Sequence, residues 1–449
     1  MEKTNVLIIG GGPAGIVTAV TAKSNYPEKE ILVVRKEEKV LIPCGIPYIF
    51  GTLDNSEKDV VPDAVLENAG VNLKIDEIVS INKENKVAKT EDGTEINFEK
   101  LVFATGSSPY NPKWLKGVDL NNVFLIKKDK KYLDDVKAKL KDCKKIIVIG
   151  GGFIGVEVSD ELTKMGKDVT VVELLPHVLG LAFDGEFASI AEDVLRARGI
   201  RIKAGSGVKE ILGNEKVSAV LLENGEKIGC DAVVLSMGYR PNSRLAEKAG
   251  IRIGNKKSIW VDEYMRTDHP DILAVGDCAE KKSFITRKVN NVMLASTATT
   301  EARIAGMTLY EFEILKTFNG TISIFSTAIG DAGFAATGIT ESQANEKGFK
   351  IITGSFEKVD KHPGSLPNAH KQKVKLIASK VSGILLGGQV AGGKSAGELI
   401  NVVGLAIQNK MSVTSLLTAQ IGTHPLLTAP PTAYPIIKCA EIISKKLEK

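Results

Sequence analysis

Apolar residues near the beginning of the chain form a short continuous block, not an alternating or helical pattern. Residues 6–9 are rich in β-branched side chains, and a run of glycines begins at Gly10. A continuous apolar run of this length predicts a strand that is buried on both faces, as in a parallel sheet. An alanine-rich helix that ends near Lys23 and a second strand at 31–34 complete the predicted unit.

The same arrangement occurs again at 145–172. Residues 146–149 form a second apolar block, a glycine run begins at 150, and a helical segment ends near Met165 before another apolar block at 169–172. Strands that alternate with helices favour a parallel sheet with helices on its faces. The sequence therefore predicts an α/β fold that contains two copies of one strand–turn–helix–strand unit.

Both turns follow the pattern G-x-G-x-x-G. The glycines are Gly10, Gly12 and Gly15 in the first copy and Gly150, Gly152 and Gly155 in the second. The first glycine permits a tight turn, the second lets the backbone approach a pyrophosphate, and the third lets helix and strand pack closely. The phosphates then lie at the positive end of the helix. Two such turns in βαβ context predict two dinucleotide-binding units.

The residue that ends the second strand of each unit helps to distinguish the ligands. Glu173 ends the strand of the second unit, where a carboxylate binds the ribose hydroxyls of NAD and repels the 2′-phosphate of NADP. Arg35 stands at the matching position of the first unit and is followed by Lys36. Either Glu37 or Glu38 replaces the ribose carboxylate there, or Arg35 covers the adenine.

Composition narrows the class of protein. The chain has 449 residues, enough for about two to four domains. A hydrophobic share of 43% and a charged share of 25% exclude disordered, collagen-like and disulfide-scaffold classes. A net charge of +5 is too weak to predict a nucleic-acid partner, and five cysteines without tight spacing suit a reducing cytosol and no metal site.

One uncharged stretch, 6–22, imitates a membrane span. It is shorter than the roughly 20 residues that a spanning helix needs, and glycines and Pro13 interrupt it. A strand, a turn and a helix explain it better, so we expect a cytoplasmic protein without a membrane partner.

Further motifs resemble the pyridine nucleotide-disulfide oxidoreductases, which are flavoproteins with two dinucleotide folds. These motifs are the A-T-G segment at 104–106, the segment 237–242, the G-D pair at 276–277 and the helix at 297–309. The resemblance implies FAD in the first unit, with Asp277 on its ribityl chain and the N-terminus of the helix facing the flavin. It implies NADH, in preference to NADPH, in the second unit.

The resemblance also implies a domain organisation. Residues 1–112 and 243–318 are predicted to form a discontinuous FAD-binding domain, and residues 113–242 an NADH-binding domain, both Rossmann-like. Residues 319–449 resemble the α+β interface domain of the family, with its signals at 336–341 and 383–389. We therefore expect a homodimer in which this last domain lies at the active site of the partner.

The predicted cofactor sites collect the motif residues. The predicted FAD positions are Gly10, Gly11, Gly12, Pro13, Ala14, Gly15, Arg35, Lys36, Pro43, Ala104, Thr105, Gly106, Gly276 and Asp277. The predicted NADH positions are Gly150, Gly152, Phe153, Ile154, Gly155, Glu157, Glu173 and Gly238.

Cys44, in the run I-P-C-G-I-P-Y, is the predicted redox residue. We expect it at the start of a helix, where a thiol has a depressed pKa and the thiolate is the nucleophile. Ile49 stands where the classical reductases carry a second cysteine. The pattern resembles the single-cysteine branch, which includes coenzyme A-disulfide reductases, NADH persulfide or polysulfide reductases, and NADH oxidases and peroxidases. The other cysteines are predicted to be core residues: Cys143, Cys230, Cys278 and Cys439.

Departures from this branch favour a small sulfur acceptor. Pro13 replaces the histidine that peroxidases and many oxidases carry in the first glycine motif. The segment before Cys44 lacks the S-F-x-x-C pattern of coenzyme A-disulfide reductases, and the first helix offers Lys23 where they carry arginines. Thr428 and Thr432 replace the tyrosines that flank their A-P-P motif. Coenzyme A stays open as a ligand, with polysulfide or a small disulfide favoured.

Two histidines are candidates for the acid. His424, before a proline, resembles the histidine that reaches the partner's disulfide in the two-cysteine branch, and the alternative is a surface histidine without a role. His362 also precedes a proline, and there the alternative without a role is preferred.

These observations predict an FAD-dependent NADH oxidoreductase that reduces a sulfur–sulfur bond of polysulfide, persulfide or coenzyme A disulfide through Cys44. One alternative is an NADH oxidase, in which oxygen meets reduced flavin and Cys44 cycles through a sulfenate. An alternative of another class is a redox-sensing protein in which FAD and NADH set conformation and partner binding.

Overall fold

The computed structural model describes residues 2–312 and 317–448. The chain divides into two compact units. Unit 1 contains Met1–Asn111, Leu125–Asp142 and Met237–Thr321, and unit 2 contains Pro112–Phe124, Cys143–Ser236 and Ile322–Lys449. Residues 1, 313–316 and 449, which belong to the predicted FAD and interface domains, lie outside the described residues.

The strands are numbered β1 to β24 in chain order. Within the described ranges they are Glu2–Ile9, Ile31–Arg35, Asn72–Ile75, Ile78–Asn82, Val87–Thr90, Glu95–Phe103, Ser107–Pro109, Val123–Leu125, Lys145–Ile149, Asp168–Val172, Arg201–Lys203, Val208–Gly213, Val217–Leu222, Lys227–Gly229, Ala232–Leu235, Tyr239–Pro241, Ile272–Ala274, Lys281–Lys282, Val289–Asn290, Phe325–Ile329, Ala332–Gly338, Ile351–Val359, Lys371–Ser379 and Leu385–Gly392.

The α-helices are numbered α1 to α11 in the same way. Over the same part of the chain they are Pro13–Asn25, Ala64–Glu67, Lys130–Lys141, Phe153–Lys164, Gly185–Ala197, Arg244–Lys248, Ala295–Met307, Glu341–Glu346, Ala396–Gln408, Val413–Leu417 and Pro435–Leu447. Short 3-10 helices span Ile46–Phe50, Ser56–Asp59, Gly276–Cys278 and Pro431–Ala433.

The main sheet of unit 1 has the order β3-β2-β1-β6-β5-β4. Strand β17 also belongs to this sheet, because it pairs in parallel with the last three residues of β6. Strand β1 runs parallel to β2 and β6, and Leu7 is aligned with Leu32 on one side and Leu101 on the other. Leu7 and its neighbour Ile8 are fully buried. This confirms the predicted strand that is buried on both faces, and α1 and α7 pack against each other beside it.

Unit 2 contains the second predicted βαβ unit. Its sheet has the order β11-β10-β9-β15-β8, and β9 runs parallel to its two neighbours, β10 and β15. The predicted strands at 146–149 and 169–172 each begin one residue earlier, and the helix ends at Lys164. A separate antiparallel sheet, β12-β13-β14, lies in the same unit.

Unit 2 also contains a five-stranded antiparallel sheet with the order β20-β21-β24-β23-β22. Helix α9 packs on β21 and β24, and α11 packs on β22 and β23. The predicted class, two Rossmann-like folds with a C-terminal α+β part, is confirmed. The three domain ranges stay a prediction, because the compact units divide the chain differently and 125–142 belongs to unit 1.

Across the described residues, we find no helix with the length and apolar character that crossing a bilayer requires.

Candidate functional site

The first glycine turn connects β1 to α1. Gly10 has φ of +112°, which an L side chain rarely adopts. A Cβ on Gly15 would lie 1.9 Å from the Gly10 carbonyl oxygen, so the helix approaches the strand too closely for any side chain. A Cβ on Gly12 would meet nothing within 4 Å. The turn is therefore closed at its ends and open in the middle, as a bound pyrophosphate requires.

The second turn, between β9 and α4, repeats this geometry. Gly150 has φ of +104°, and a Cβ on Gly155 would again lie 1.9 Å from the carbonyl oxygen of the first glycine. Gly152 has open space around its missing side chain. The geometry of both turns fits a dinucleotide, whereas the binding roles of the glycines stay a prediction.

Glu173 reaches back to the second turn. Its carboxylate accepts hydrogen bonds from the N–H of Gly151 at 2.6 Å and from the N–H of Leu175 at 2.7 Å. The negative charge is therefore fixed at the edge of the turn, where a ribose of a bound dinucleotide would lie.

Arg35 occupies the corresponding place in unit 1. Its aliphatic stem lies against Gly11, and its guanidinium donates to the carbonyls of Glu37 and Glu38 at 2.8 and 2.9 Å and to Asp63 at 2.8 Å. The side chain is almost fully buried, so it fastens the loop after β2. A direct contact of Arg35 or the exposed Lys36 with FAD stays a prediction.

The other FAD motifs meet the first turn at the carboxyl edge of the sheet. A Cβ on Gly10 would lie 2.3 Å from the Ala104 carbonyl oxygen, and one on Gly276 would lie 2.8 Å from the Cβ of Ala14. The side chain of Thr105 donates to the carbonyl of Asn242 at 2.6 Å. Segments far apart in the sequence are therefore brought together beside the turn.

Asp277 follows β17, and its Oδ2 accepts from Ser107 at 2.7 Å and from Lys128 at 3.0 Å. Burial opposes ionisation of Asp277, but the charge of Lys128 and the hydrogen bond from Ser107 outweigh it and hold the pKa of this carboxyl below its usual range. The carboxylate is therefore charged and oriented, as a ligand of a ribityl hydroxyl must be.

Two buried residues that the sequence analysis missed support this turn. Glu301, on α7, accepts from the N–H of Gly276 at 2.8 Å and lies 3.4 Å from the Nζ of Lys281. Lys281 donates to the carbonyls of Gly276 and Ala279. Burial raises the pKa of Glu301 to about 7. The sequence offered one signal for Glu301, which is a glutamate among the apolar and small residues of a helix.

Cys44 lies in a β-turn whose ends are joined by a hydrogen bond of 2.8 Å from the Gly45 N–H to the Ile42 carbonyl. Pro43 and Cys44 are the central residues, and proline at the first of these positions is typical of such turns. The side chain of Cys44 is exposed. The expected helix is a five-residue 3-10 helix, Ile46–Phe50, that begins two residues later, because the turn comes first. Cys44 therefore does not start a helix, which corrects that expectation.

The two candidate acids lie close to the same threonine in unit 2. His424 is exposed, and its Nδ1 accepts from the N–H of Leu426 at 3.3 Å, which favours the proton on Nε2. The Nδ1 of His362 lies 3.0 Å from the Thr428 carbonyl oxygen. The backbone N–H of His424 donates to the hydroxyl of Thr428. This loop holds both rings in defined positions.

Three of the remaining predicted NADH residues, Phe153, Ile154 and Glu157, lie on α4. Glu157 accepts from the Thr327 hydroxyl at 2.7 Å, and burial raises its pKa to about 7. Phe153 stacks on Phe325 with ring centroids 5.1 Å apart, and Ile154 is half-buried beside it. Gly238, assigned to the same site, has φ of +91° and belongs to unit 1.

The four other cysteines are buried, as predicted. Burial raises the pKa of both Cys230 and Cys439 to about 12. A thiol that is protonated and inaccessible is a poor nucleophile, so these side chains act as small core residues.

Two open glycine turns, each at the carboxyl edge of a parallel sheet, and an exposed cysteine define a dinucleotide-dependent oxidoreductase. The pyridine nucleotide-disulphide oxidoreductase model matches residues 4–302, and the dimerisation-domain model of the same family matches residues 324–434. The chain belongs to the pyridine nucleotide-disulphide oxidoreductases, which depend on FAD and NAD(P)H.

Similar proteins include both of the predicted enzyme types. An NADH oxidase of Methanocaldococcus jannaschii is 32% identical over 460 residues, covering 98% of this chain and 99% of that protein. An NAD(P)H coenzyme A polysulfide/persulfide reductase of Pyrococcus horikoshii is 32% identical over 87% of this chain and 88% of that protein. The structure of an NAD-dependent persulfide reductase from A. fulgidus has a TM-score of 0.92 at 29% identity, over 99% of this chain and 84% of that chain.

Proposed function

We propose that the chain is an FAD-dependent NADH oxidoreductase that reduces sulfur–sulfur bonds through Cys44. The observation that carries this proposal is the exposed thiol in a fixed turn of the same unit that holds the FAD motifs. The polysulfide/persulfide and persulfide reductases among the similar proteins support it.

The residues at the two turns bind different cofactors. In unit 1, the N–H groups at the start of α1 bind the FAD pyrophosphate, and Asp277, kept charged by Lys128, binds a ribityl hydroxyl. In unit 2, the fixed carboxylate of Glu173 binds ribose hydroxyls and repels a 2′-phosphate, so the donor is NADH. Bound FAD supplies the transfer of two electrons from the nicotinamide to sulfur.

Side chains of the protein carry out the cleavage of the sulfur–sulfur bond. The Cys44 thiolate attacks one sulfur of the acceptor, forms a Cys44–sulfur bond and expels the other sulfur as a thiolate or hydrosulfide. His424 of the partner subunit donates the proton that the leaving group takes up. Two electrons from NADH then break the new Cys44–sulfur bond, which releases the bound sulfur as a thiolate or hydrosulfide and returns Cys44 to the thiolate. The dimerisation-domain match supports the homodimer that this step requires.

Polysulfide or persulfide is the proposed acceptor, and coenzyme A disulfide is the second candidate. Thr428 and Thr432 flank Ala429–Pro430–Pro431 where coenzyme A-disulfide reductases carry tyrosines, which favours the smaller molecule. The name of the Pyrococcus horikoshii relative keeps coenzyme A among the ligands to be tested.

A second candidate function is an NADH oxidase, which the Methanocaldococcus jannaschii relative favours. In that reaction, oxygen takes the two electrons, and Cys44 cycles through a sulfenate. Pro13 provides no acid or base at the first turn, which disfavours peroxide chemistry at that position.

Anaerobic NADH consumption separates these functions. The assay compares polysulfide, coenzyme A disulfide and no acceptor for the wild type, Cys44→Ser and the control Cys230→Ala, which removes a buried thiol. We expect turnover with a sulfur acceptor that Cys44→Ser abolishes without loss of FAD and that Cys230→Ala retains. Turnover only after air is admitted would replace the sulfur reductase with the oxidase, and full activity of Cys44→Ser would refute the cysteine mechanism.

A further inference from the structure

The turn that carries Cys44 is fastened to a second segment of unit 1. Leu41 forms a bridge with Val60. The N–H of Ile42 donates to the carbonyl of Asp59 at 2.8 Å. The backbone immediately before the redox turn is therefore tied to the end of the 3-10 helix Ser56–Asp59.

The side chain of Asp59 makes a still closer approach. Gly45 has φ of −83° and ψ of −19°, a conformation that any residue adopts, so the backbone itself does not require glycine. A Cβ on Gly45 would lie 1.7 Å from Oδ1 of Asp59 and 2.7 Å from its Cγ. The carboxyl group thus occupies the side-chain position of the residue that follows Cys44.

Asp59 is 2% exposed. Within residues 2–312 and 317–448, its Oδ2 is buried and has no hydrogen-bond partner. Burial raises the pKa of Asp59 to about 6. A buried carboxyl group with an unsatisfied oxygen is unfavourable for folding, and retained polar groups of this kind occur where function needs them.

The charged groups on the surrounding elements have other partners or face solvent. On the 3-10 helix that carries Asp59, the side chains of Glu57 and Lys58 are exposed. The titratable residue of the helix Ile46–Phe50 is Tyr48. On α3, Lys130 pairs with Glu57 and Asp134, and Lys137 donates to the Ile49 carbonyl and pairs with Asp54. No cation among these neighbours is paired with Asp59, so its environment differs from that of Asp277.

We propose that Asp59 is a positioning residue for the redox cysteine: its carboxyl group fills the place left open by Gly45, and its charge controls how readily the Cys44 thiol ionises. This inference rests on the proposed role of Cys44. It assigns a function to a residue outside every motif.

The sign of the effect follows from charge repulsion. Above pH about 6, Asp59 is ionised, and a second negative charge on Cys44, the residue before Gly45, is disfavoured. The thiol pKa should therefore be higher than in a turn with a neutral side chain at position 59, by on the order of one unit. A thiol is most effective when its pKa is close to the ambient pH, because a more acidic thiolate is a weaker nucleophile.

The charge is tested by the pH dependence of alkylation of Cys44 in the FAD-bound protein, followed at the peptide that contains Cys44 by mass spectrometry. We expect Asp59→Asn to lower the midpoint of the alkylation profile by about one pH unit. The matched control is Asp54→Asn, an exposed carboxylate in the same loop, which should leave the midpoint unchanged. An unchanged or raised midpoint in Asp59→Asn with FAD retained would refute the proposal.

The shared space is tested by a double-mutant cycle. Gly45→Ala should slow alkylation and reduce FAD content in the wild-type background, because the new Cβ collides with the carboxyl group. In the Asp59→Ala background, Gly45→Ala should be tolerated. If Gly45→Ala slows alkylation and reduces FAD content equally in both backgrounds, the proposal is overturned. This test remains decisive if Asp59→Asn folds poorly. Both tests follow thiol chemistry without turnover, so a failure of sulfur reduction in the acceptor assay is a separate result.

Discussion

The carboxylate of Glu173 accepts a hydrogen bond of 2.6 Å from the backbone N–H of Gly151, inside the second glycine turn. This bond links the end of β10 to the turn that follows β9, so the protein itself fixes the position of the negative charge. We propose that this fixed charge distinguishes dinucleotides that differ by one phosphate.

Cofactor preference should depend on this charge. We expect Glu173→Gln to lower the ratio of kcat/KM for NADH to that for NADPH by about tenfold, or ~1.4 kcal/mol. The main cause is removal of the repulsion of the 2′-phosphate. Steady-state kinetics with both nucleotides give the ratio, and Glu215→Gln, an exposed carboxylate of the same unit, serves as control. A ratio that stays constant in Glu173→Gln would place the nucleotide ribose elsewhere.

The glycines of the second turn should separate folding from binding. Gly152→Ala adds a Cβ into open space, so the variant should keep its Tm, while the KM for NADH rises by about tenfold or more because the methyl group blocks the pyrophosphate. Gly155→Ala adds a Cβ 1.9 Å from a backbone oxygen and should lower Tm by about 5 °C or more. Thermal unfolding and NADH titration check both variants. A normal KM in Gly152→Ala would exclude this turn as the pyrophosphate site.

Glu157 should make the free energy of unfolding depend on pH. Burial raises its pKa in the folded protein from 4.5 to about 7, so its contribution is most favourable below pH about 4.5 and is lost as the pH rises toward 7. The side chain in Glu157→Gln stays neutral at every pH. We therefore expect the free energy of unfolding of this variant, relative to that of wild type, to increase by on the order of 1–3 kcal/mol as the pH rises from 5 to 8. Denaturant unfolding at both pH values measures this gain. Glu346→Gln, an exposed glutamate, should show none, and a parallel pH response of Glu157→Gln and wild type would contradict the shift.

The origin of the acid can be tested with mixed dimers. His424→Asn alone should lower kcat for sulfur reduction by about 10²-fold with FAD retained, whereas His362→Asn should change it little. A dimer of one Cys44→Ser chain and one His424→Asn chain should recover about half of the wild-type activity, since one site then combines both intact residues. We would assemble it with two affinity tags. An inactive mixed dimer would mean that His424 acts within its own chain.

Much of the fold could be predicted because its signals are local. The apolar blocks, the glycine spacing and the alanine-rich helix lie within a few residues of one another, and the backbone geometry at Gly10 and Gly15 follows directly from that spacing. Glu173 was identifiable by its place at the end of a strand. The helix expected at Cys44 was wrong because a β-turn centred on Pro43 and Cys44 precedes a short 3-10 helix.

Other features depend on contacts between residues distant in the sequence. Glu301 binds the N–H of Gly276 from a helix 25 positions further along the chain, and Lys128 reaches Asp277 across 149 positions. No local pattern encodes these partners, because packing of the sheet and helices decides which polar groups are buried together.

The sequence by itself determined the two βαβ units, the open glycine turns and the position of the candidate redox thiol, since chain sterics and strand burial depend on neighbouring residues. The tertiary structure decided the electrostatic environment of that chemistry. It placed the carboxyl group of Asp59 in the space beside Gly45, tied Arg35 to its own loop and joined Glu157 to the hydroxyl of Thr327. The physical reason is that charge and solvation depend on every atom nearby, whichever part of the chain supplies it.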